Sequence, residues 1–114
     1  MDMRKNDGNP TIAPSSGNAL ADLGFADAEE RQTKVRLAFA INQILDQRRL
    51  PQSKAAHQLG INQPKISALS NYRLAGFSVE RLMHFLNALG RDVEIVIRSK
   101  PRSRRLARIF VSAA

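Results

Sequence analysis

The sequence predicts a mainly α fold, a bundle of four to five helices followed by a C-terminal β-strand or β-hairpin. Apolar residues recur at helical spacing from about residue 27 to residue 89, and beyond Gly90 their period drops to two. The 114 residues are 43% hydrophobic but only 5% aromatic, so the core has to be built from Leu, Ile, Val and Ala. A chain of this length forms one domain of ordinary size.

The first helix is predicted from Asp27 to about Arg48. Asp27 can cap this helix, and Glu29 and Glu30 suit the positive end of its dipole. Residues 1–18 are rich in Gly, Pro, Ser and Asn, so they predict a flexible tail. The apolar residues of the helix fall on one stripe, which predicts burial of Val35, Leu37, Ala38, Ile41, Ile44 and Leu45.

Two short helices are predicted next, at about Gln52–Leu59 and Gln63–Ser70. Gly60 stands between them, where a left-handed residue ends the first helix. Asn62 is a good N-cap for the second helix, and Pro64 is tolerated in its first turn. The pair is therefore predicted to form a tight helix-turn-helix arrangement.

A further helix is predicted from its cap, Ser78, to Gly90, and the chain then changes to β-like alternation. Alternation marks a strand at Val93–Ile97, and Leu106–Ser112 is strand-like again. The two segments can pair as a hairpin. Alternatively or in addition, the edge of Asp92–Lys100 can pair with a second copy of the chain.

The chain is strongly basic, with 18 Lys and Arg residues against 10 Asp and Glu residues and a net charge of +8. Residues 1–30 carry −4, residues 31–95 carry +6, and residues 96–114 carry +6 without any acidic residue. A basic surface of this kind favours a polyanionic partner. The same charge is also compatible with an ordinary solvated surface.

Several functional classes find no support in the sequence. The absence of cysteine excludes disulfides and thiolate chemistry and suits a reducing compartment. His57 and His84 stand far apart without partners at metal-ligand spacing, and no acid/base pair is recognisable among Asp46, Glu80, Asp92 and Glu94. With neither a secretion signal nor a membrane-length apolar run, the expected protein is cytoplasmic, non-enzymatic and without metal or cofactor.

The segment Gln52–Asn71 has the spacing of a helix-turn-helix unit. Ala56 is small where the two helices cross, Gly60 permits the turn, and Ile61 fills the angle between the helices. The residues expected to pin the pair to the core are Leu59, Ile66 and Leu69. The residues expected to face outward are Gln63, Lys65, Ser67 and Ala68. Such a helix fits the DNA major groove, although an ordinary pair of short helices in a bundle has a similar pattern.

From Ala19 to its end, the chain resembles the Xre/lambda-repressor type of helix-turn-helix protein and, more narrowly, the HigA-like antitoxins that accompany RelE/HigB-type toxins. Four stretches carry the resemblance: Ala21–Glu30, Gln58–Leu69, Gly76–Arg98 and Lys100–Arg105. Two positions depart from the pattern, because Ala55 replaces a larger apolar residue and Pro64 stands where many such repressors have a base-reading Gln.

The resemblance implies a homodimeric DNA-binding repressor that regulates its own promoter as the antitoxin of a type II toxin–antitoxin operon. It divides the chain into a tail (1–18), a helix-turn-helix DNA-binding domain (19–91) and a C-terminal dimerisation element (92–114). The acidic flank Asp22–Glu30, beside Leu20, Leu23 and Phe25, suits a basic toxin. The operator would be double-stranded DNA.

Individual roles on DNA follow from side-chain chemistry. Gln63 can bond adenine bidentately, Ala68 can touch a thymine methyl group, and Ser67 can bond a base or a phosphate. Gln52 can hold a phosphate at the start of its helix. Lys54, Lys65 and Arg73 are expected to make salt-dependent contacts. The candidate DNA-binding residues are therefore Gln52, Lys54, Asn62, Gln63, Pro64, Lys65, Ser67, Ala68 and Arg73.

Three alternatives remain at this stage. The nearest is a stand-alone or phage-type Xre regulator without a toxin partner. A second is a protein inhibitor that has lost DNA binding. A third is an RNA-binding module, which one Tyr and five largely buried Phe residues disfavour because RNA recognition needs stacking platforms.

Overall fold

The computed structural model describes the backbone of residues 19–113 and the side chains from Asp27 onward. This part of the chain contains four helices: α1 (Ala19–Gln47), α2 (Gln52–Leu59), α3 (Gln63–Ser70) and α4 (Val79–Ala88). The tail predicted at residues 1–18 lies outside the described residues. None of the helices in the described part of the chain has the length and apolar character needed to cross a bilayer.

Helix α1 begins earlier than predicted. The expected start was Asp27, but the helix is continuous from Ala19, because the intervening segment contains Ala and Leu residues that favour helix. Asp27 consequently caps nothing, and its carboxylate accepts a hydrogen bond from Arg31 one turn later. Residue contacts divide the chain into two units, and the boundary between them falls within α1. Residues 19–32 belong to the first unit. The second unit begins at Thr33 and contains the rest of α1 and the other three helices.

The core lies in the second unit, where all four helices contribute apolar side chains. From α1 it takes Leu37, Ala38, Ile41, Ile44 and Leu45. Val35, which was also expected in this stripe, is 45% exposed. At about 100° per residue, Val35 lies roughly 120° around α1 from the centre of the stripe. The other helices and the loop before α4 complete the core with Ala55, Ala56, Leu59, Ile66, Leu69, Leu74, Phe77, Leu82, Phe85, Leu86 and Leu89.

The predicted helix-turn-helix geometry is confirmed. Helix α2 ends at Gly60 with a left-handed φ of 71°, and nothing lies within 4 Å of the position a Cβ would take. The side chain of Asn62 accepts a hydrogen bond from the Lys65 amide at 2.9 Å and so caps α3. Ile61 is half-buried against the core in the angle between the two helices, as expected.

Helix α4 also begins as predicted, and two side chains tie the helices to one another. The Ser78 hydroxyl accepts from the Arg81 amide at 3.0 Å. The Arg48 guanidinium, just beyond α1, donates to the Leu89 carbonyl at 2.6 Å. The Asn42 amide donates to the Leu69 carbonyl at 3.2 Å and thereby ties the end of α3 to α1.

The predicted C-terminal strand and hairpin are absent from the described residues. Residues 92–113 form no strand, and the Arg104 amide closes a turn onto the Pro101 carbonyl. Val93 and Val111 are half-buried against the core, whereas Ile95, Val96 and Ile97 are exposed. Alternation predicts an extended backbone, but a strand also needs a neighbour for its hydrogen-bond ladder, and in the single chain this segment has not acquired one.

The hydrogen bond from Asn42 of α1 to the Leu69 carbonyl of α3 is expected to stabilise the fold. Asn42→Asp removes the N–H donor without changing the shape of the side chain and places a carboxylate oxygen against the Leu69 carbonyl. We expect the free energy of unfolding in urea to fall by about 1–2 kcal/mol. Gln43→Glu makes the same chemical change at the next, exposed position and should stay within about 0.5 kcal/mol of the parent. Equal losses for both variants would contradict the role of Asn42.

Candidate nucleic-acid interface

The outward face of α3 follows from the two residues that it buries. Ile66 is 1% exposed and Leu69 is fully buried. At about 100° per residue, the side opposite this pair is centred on Pro64, Ser67 and Ala68, with Asn71 continuing it. The face therefore presents small or short side chains, which allow the helix backbone to approach another surface closely.

The N-terminal end of α3 is its most accessible part. Asn62, Gln63 and Pro64 are all exposed, whereas Ser67 is half-buried. Ala68, which was expected to face outward, is also half-buried and packs against the core. The Asn62 side-chain oxygen is already engaged in capping the helix, so its amide nitrogen remains for other contacts. The Gln63 carboxamide is exposed and can both donate and accept hydrogen bonds.

Helix α2 packs against α3 and contributes exposed polar residues. Gln52 and Lys54 lie in its first turn, and both are exposed. The N-cap residue is Pro51, which makes no side-chain capping bond, so the first amides of α2 are open to an external acceptor. An anion at this end would also be favoured by the helix dipole.

The two remaining predicted cations differ in their surroundings. Arg73 is exposed just after α3. Lys65 is half-buried, and its ammonium group donates to the Gly76 carbonyl at 3.3 Å. The structure thus brings Asn62, Gln63 and Pro64 together at the exposed N-terminal end of α3, while the Lys65 ammonium turns towards the loop before α4.

Two residues at the end of α3 were not among the predicted contacts. Asn71 is exposed on the outward face, and its amide donates to the Ser67 carbonyl at 2.9 Å. Tyr72 is 41% exposed. Its φ of +59° is in the left-handed region, which Gly60 and Gly90 occupy after α2 and α4. The sequence signal for Asn71 was its seven-residue spacing from Pro64, which returns it to the same face of the helix.

Aromatic exposure differs from the expectation. Among the Phe residues that the structure describes, Phe77 and Phe85 are buried, but Phe39 and Phe110 are more than half exposed. Phe110 is covered on its faces by the guanidinium groups of Arg36 and Arg108, which lie 4.4 and 4.6 Å from the ring centroid. The expectation that most Phe residues are buried was therefore wrong for half of those described.

Neither a metal-binding cluster nor an enclosed pocket accompanies this face. Residues 27–113 contain no group of three or more His, Cys, Asp or Glu side chains that could hold a metal ion. An open depression beside the helix-turn-helix is lined by Ala56, His57, Gly60, Ile61, Asn62, Lys65 and Arg81. The accessible chemistry is that of a polar and basic surface suited to a large polyanion.

Comparisons with known proteins agree with this geometry. A family described as a helix-turn-helix domain matches residues 19–98. A solved structure named as an XRE family transcriptional regulator is 70% identical in sequence with a TM-score of 0.74, and the match covers 77% of this chain and 99% of that one. No significant match was found among curated proteins. The chain belongs to the XRE family of helix-turn-helix transcriptional regulators.

Proposed function

We propose that the chain is a sequence-specific repressor that inserts α3 into the major groove of its operator. The observation that carries the proposal is the division of α3, with Ile66 and Leu69 buried and Gln63, Pro64 and Asn71 exposed. A single α-helix fits the major groove of B-DNA, and the first residues of such a helix reach the base edges.

Residues on this surface divide into base readers and backbone contacts. Gln63, Ser67 and Ala68 are proposed to contact base edges. Gln52 and the open amides of α2 are proposed to hold a phosphate, with Lys54 supplying a salt-dependent contact. Asn62, Pro64 and Arg73 complete the proposed surface.

The direct test is Gln63→Ala in a titration with DNA from upstream of the chain's own gene and with a scrambled duplex of equal composition. Loss of a bidentate contact should weaken operator binding about 5- to 100-fold and leave scrambled DNA nearly unchanged. Gln43→Ala, at an exposed position on α1, is the matched control and should bind like the parent. Equal losses on both duplexes would remove Gln63 from base readout.

We further propose that the repressor is a homodimer formed through residues 92–100. Ile95, Val96 and Ile97 are consecutive β-branched residues, and Ile97 is 92% exposed. Two copies of such a segment can pair about a twofold axis and form the ladder that the single chain lacks. A dimer would also present two α3 helices to half-sites about 34 Å apart.

Ile97→Asp tests the dimer. A carboxylate in the paired segment should convert the protein to a monomer in light scattering at micromolar concentration and weaken operator binding at least tenfold, because each half-site then binds alone. Ser103→Asp introduces the same charge in the exposed turn and should remain dimeric. A dimeric Ile97→Asp variant would contradict the proposed interface.

The antitoxin role is proposed on charge and on the resemblance to HigA-like proteins. Residues 1–30 carry −4 in a chain that is otherwise strongly basic, and the acidic flank Asp22–Glu30 lies on α1. Such a segment is complementary to a basic ribonuclease of the RelE/HigB-like class. A stand-alone or phage-type Xre regulator is the alternative, and it would not have a toxin gene in its operon.

Co-expression with the small gene adjacent in the operon tests the antitoxin role. The chain should relieve the growth arrest caused by that gene product, and the Asp22→Lys, Asp27→Lys double variant should relieve it less while keeping operator affinity. Undiminished growth arrest in the presence of the parent chain would favour the stand-alone regulator.

A further inference from the structure

We propose that Lys65 orients α3 from within the domain and makes no direct phosphate contact. The inference rests on the proposed operator readout, and it revises the role that the sequence suggests for this residue. Lys65 is accordingly a positioning residue, which acts on DNA through the angle of the helix that carries it.

The first observation is the position of Lys65 around the axis of α3. With Ile66 and Leu69 marking the buried side of α3, Lys65 lies about 110° around the helix from the centre of the outward face. Its side chain therefore leaves α3 on a flank, and it is half-buried there. A lysine that served only to collect a phosphate would gain from full exposure.

The contacts of the ammonium group are the second observation. Its Nζ lies 3.3 Å from the Gly76 carbonyl oxygen and 5.0 Å from the centroid of the Phe77 ring. Phe77 is 2% exposed and packs edge-to-face on Phe85 of α4, with the ring centroids 5.9 Å apart. One side chain thus connects the first turn of α3 to the loop before α4 and to the core.

Gly76 supplies a third observation. A Cβ at this position would stand 3.3 Å from the Lys65 Nζ, and outside the two neighbouring residues no other atom would lie within 4 Å. The φ of Gly76 is outside the left-handed region, unlike those of Gly60 and Gly90, so the turn itself does not require glycine. The missing side chain leaves space that the ammonium group occupies.

These contacts determine what loss of the charge should do. Without the contacts of Lys65 with Gly76 and Phe77, the first turn of α3 is held only by its cap and by Ile66. The direction in which the Gln63 side chain points is then less restricted. Base readout depends on that angle, whereas general attraction to phosphates depends on charge. Specificity should therefore suffer more than the salt dependence of binding.

The test compares Lys65→Met with Lys54→Met, a matched loss of one cation at an exposed position on α2. Binding to operator and scrambled duplexes is measured from 50 to 200 mM salt, at a temperature where circular dichroism shows each variant folded. Lys65→Met should lose about tenfold on operator, with scrambled DNA and the salt slope nearly unchanged. Lys54→Met should weaken binding to both duplexes. It should also lower the slope of log affinity against log salt concentration by about one.

The binding results distinguish failure of the Lys65 inference from failure of the proposed repressor function. A salt slope lowered by about one for Lys65→Met, with an unchanged operator preference, would show a direct phosphate contact and overturn the inference. Parent-like binding in every respect would overturn it as well. If the parent chain itself does not distinguish operator from scrambled DNA, the proposed repressor function fails instead.

A measurement on the parent chain covers the case in which Lys65→Met does not fold. The Phe77 ring should shift the ε-methylene proton resonances of Lys65 upfield, and this shift should persist in the operator complex. Loss of the shift on binding would mean that the ammonium group leaves Phe77 for DNA, which contradicts the inference. Lys65→Arg, which can keep both contacts, should retain the operator preference.

Discussion

Burial of Ile66 and Leu69 is the interaction on which the rest of the structure depends. Helix α3 is only eight residues long, and an isolated helix of that length is not stable in water. Its two apolar side chains attach it to the core. The exposed N-terminal end of the helix is the part proposed to meet DNA. The Asn62 cap and the Asn42 hydrogen bond then secure its two ends.

Charge is distributed unevenly along the sequence. The excess of Lys and Arg lies at residues 31–49 and in the C-terminal segment, with Lys54 and Lys65 in the helix-turn-helix, whereas the acidic residues are concentrated before residue 31. Basic groups around a major-groove helix raise the affinity for any duplex, and the neutral side chains of α3 are left to provide sequence preference.

The helix ends of the helix-turn-helix were predicted correctly because each depends on capping interactions between residues close in sequence. Gly60, Asn62 and Ser78 each determine a helix end through their own backbone or side chain, and each lies where the sequence placed it. The predicted start of α1 at Asp27 was wrong because the Ala and Leu residues before it favour helix, and the helix is continuous from Ala19. The C-terminal strand was predicted from alternation, which indicates an extended backbone but does not supply the neighbouring strand that a hydrogen-bond ladder needs. The direction of the Lys65 side chain depends on Gly76 and Phe77, eleven and twelve residues away.

The most direct test of the account is amide chemical-shift mapping of the labelled chain as operator duplex is added. The largest perturbations are expected at residues 62–68 and in the first turn of α2, with small changes along the buried stripe of α1. Large perturbations confined to α1 or to residues 92–113, with residues 62–68 unchanged, would contradict the placement of α3 in the major groove.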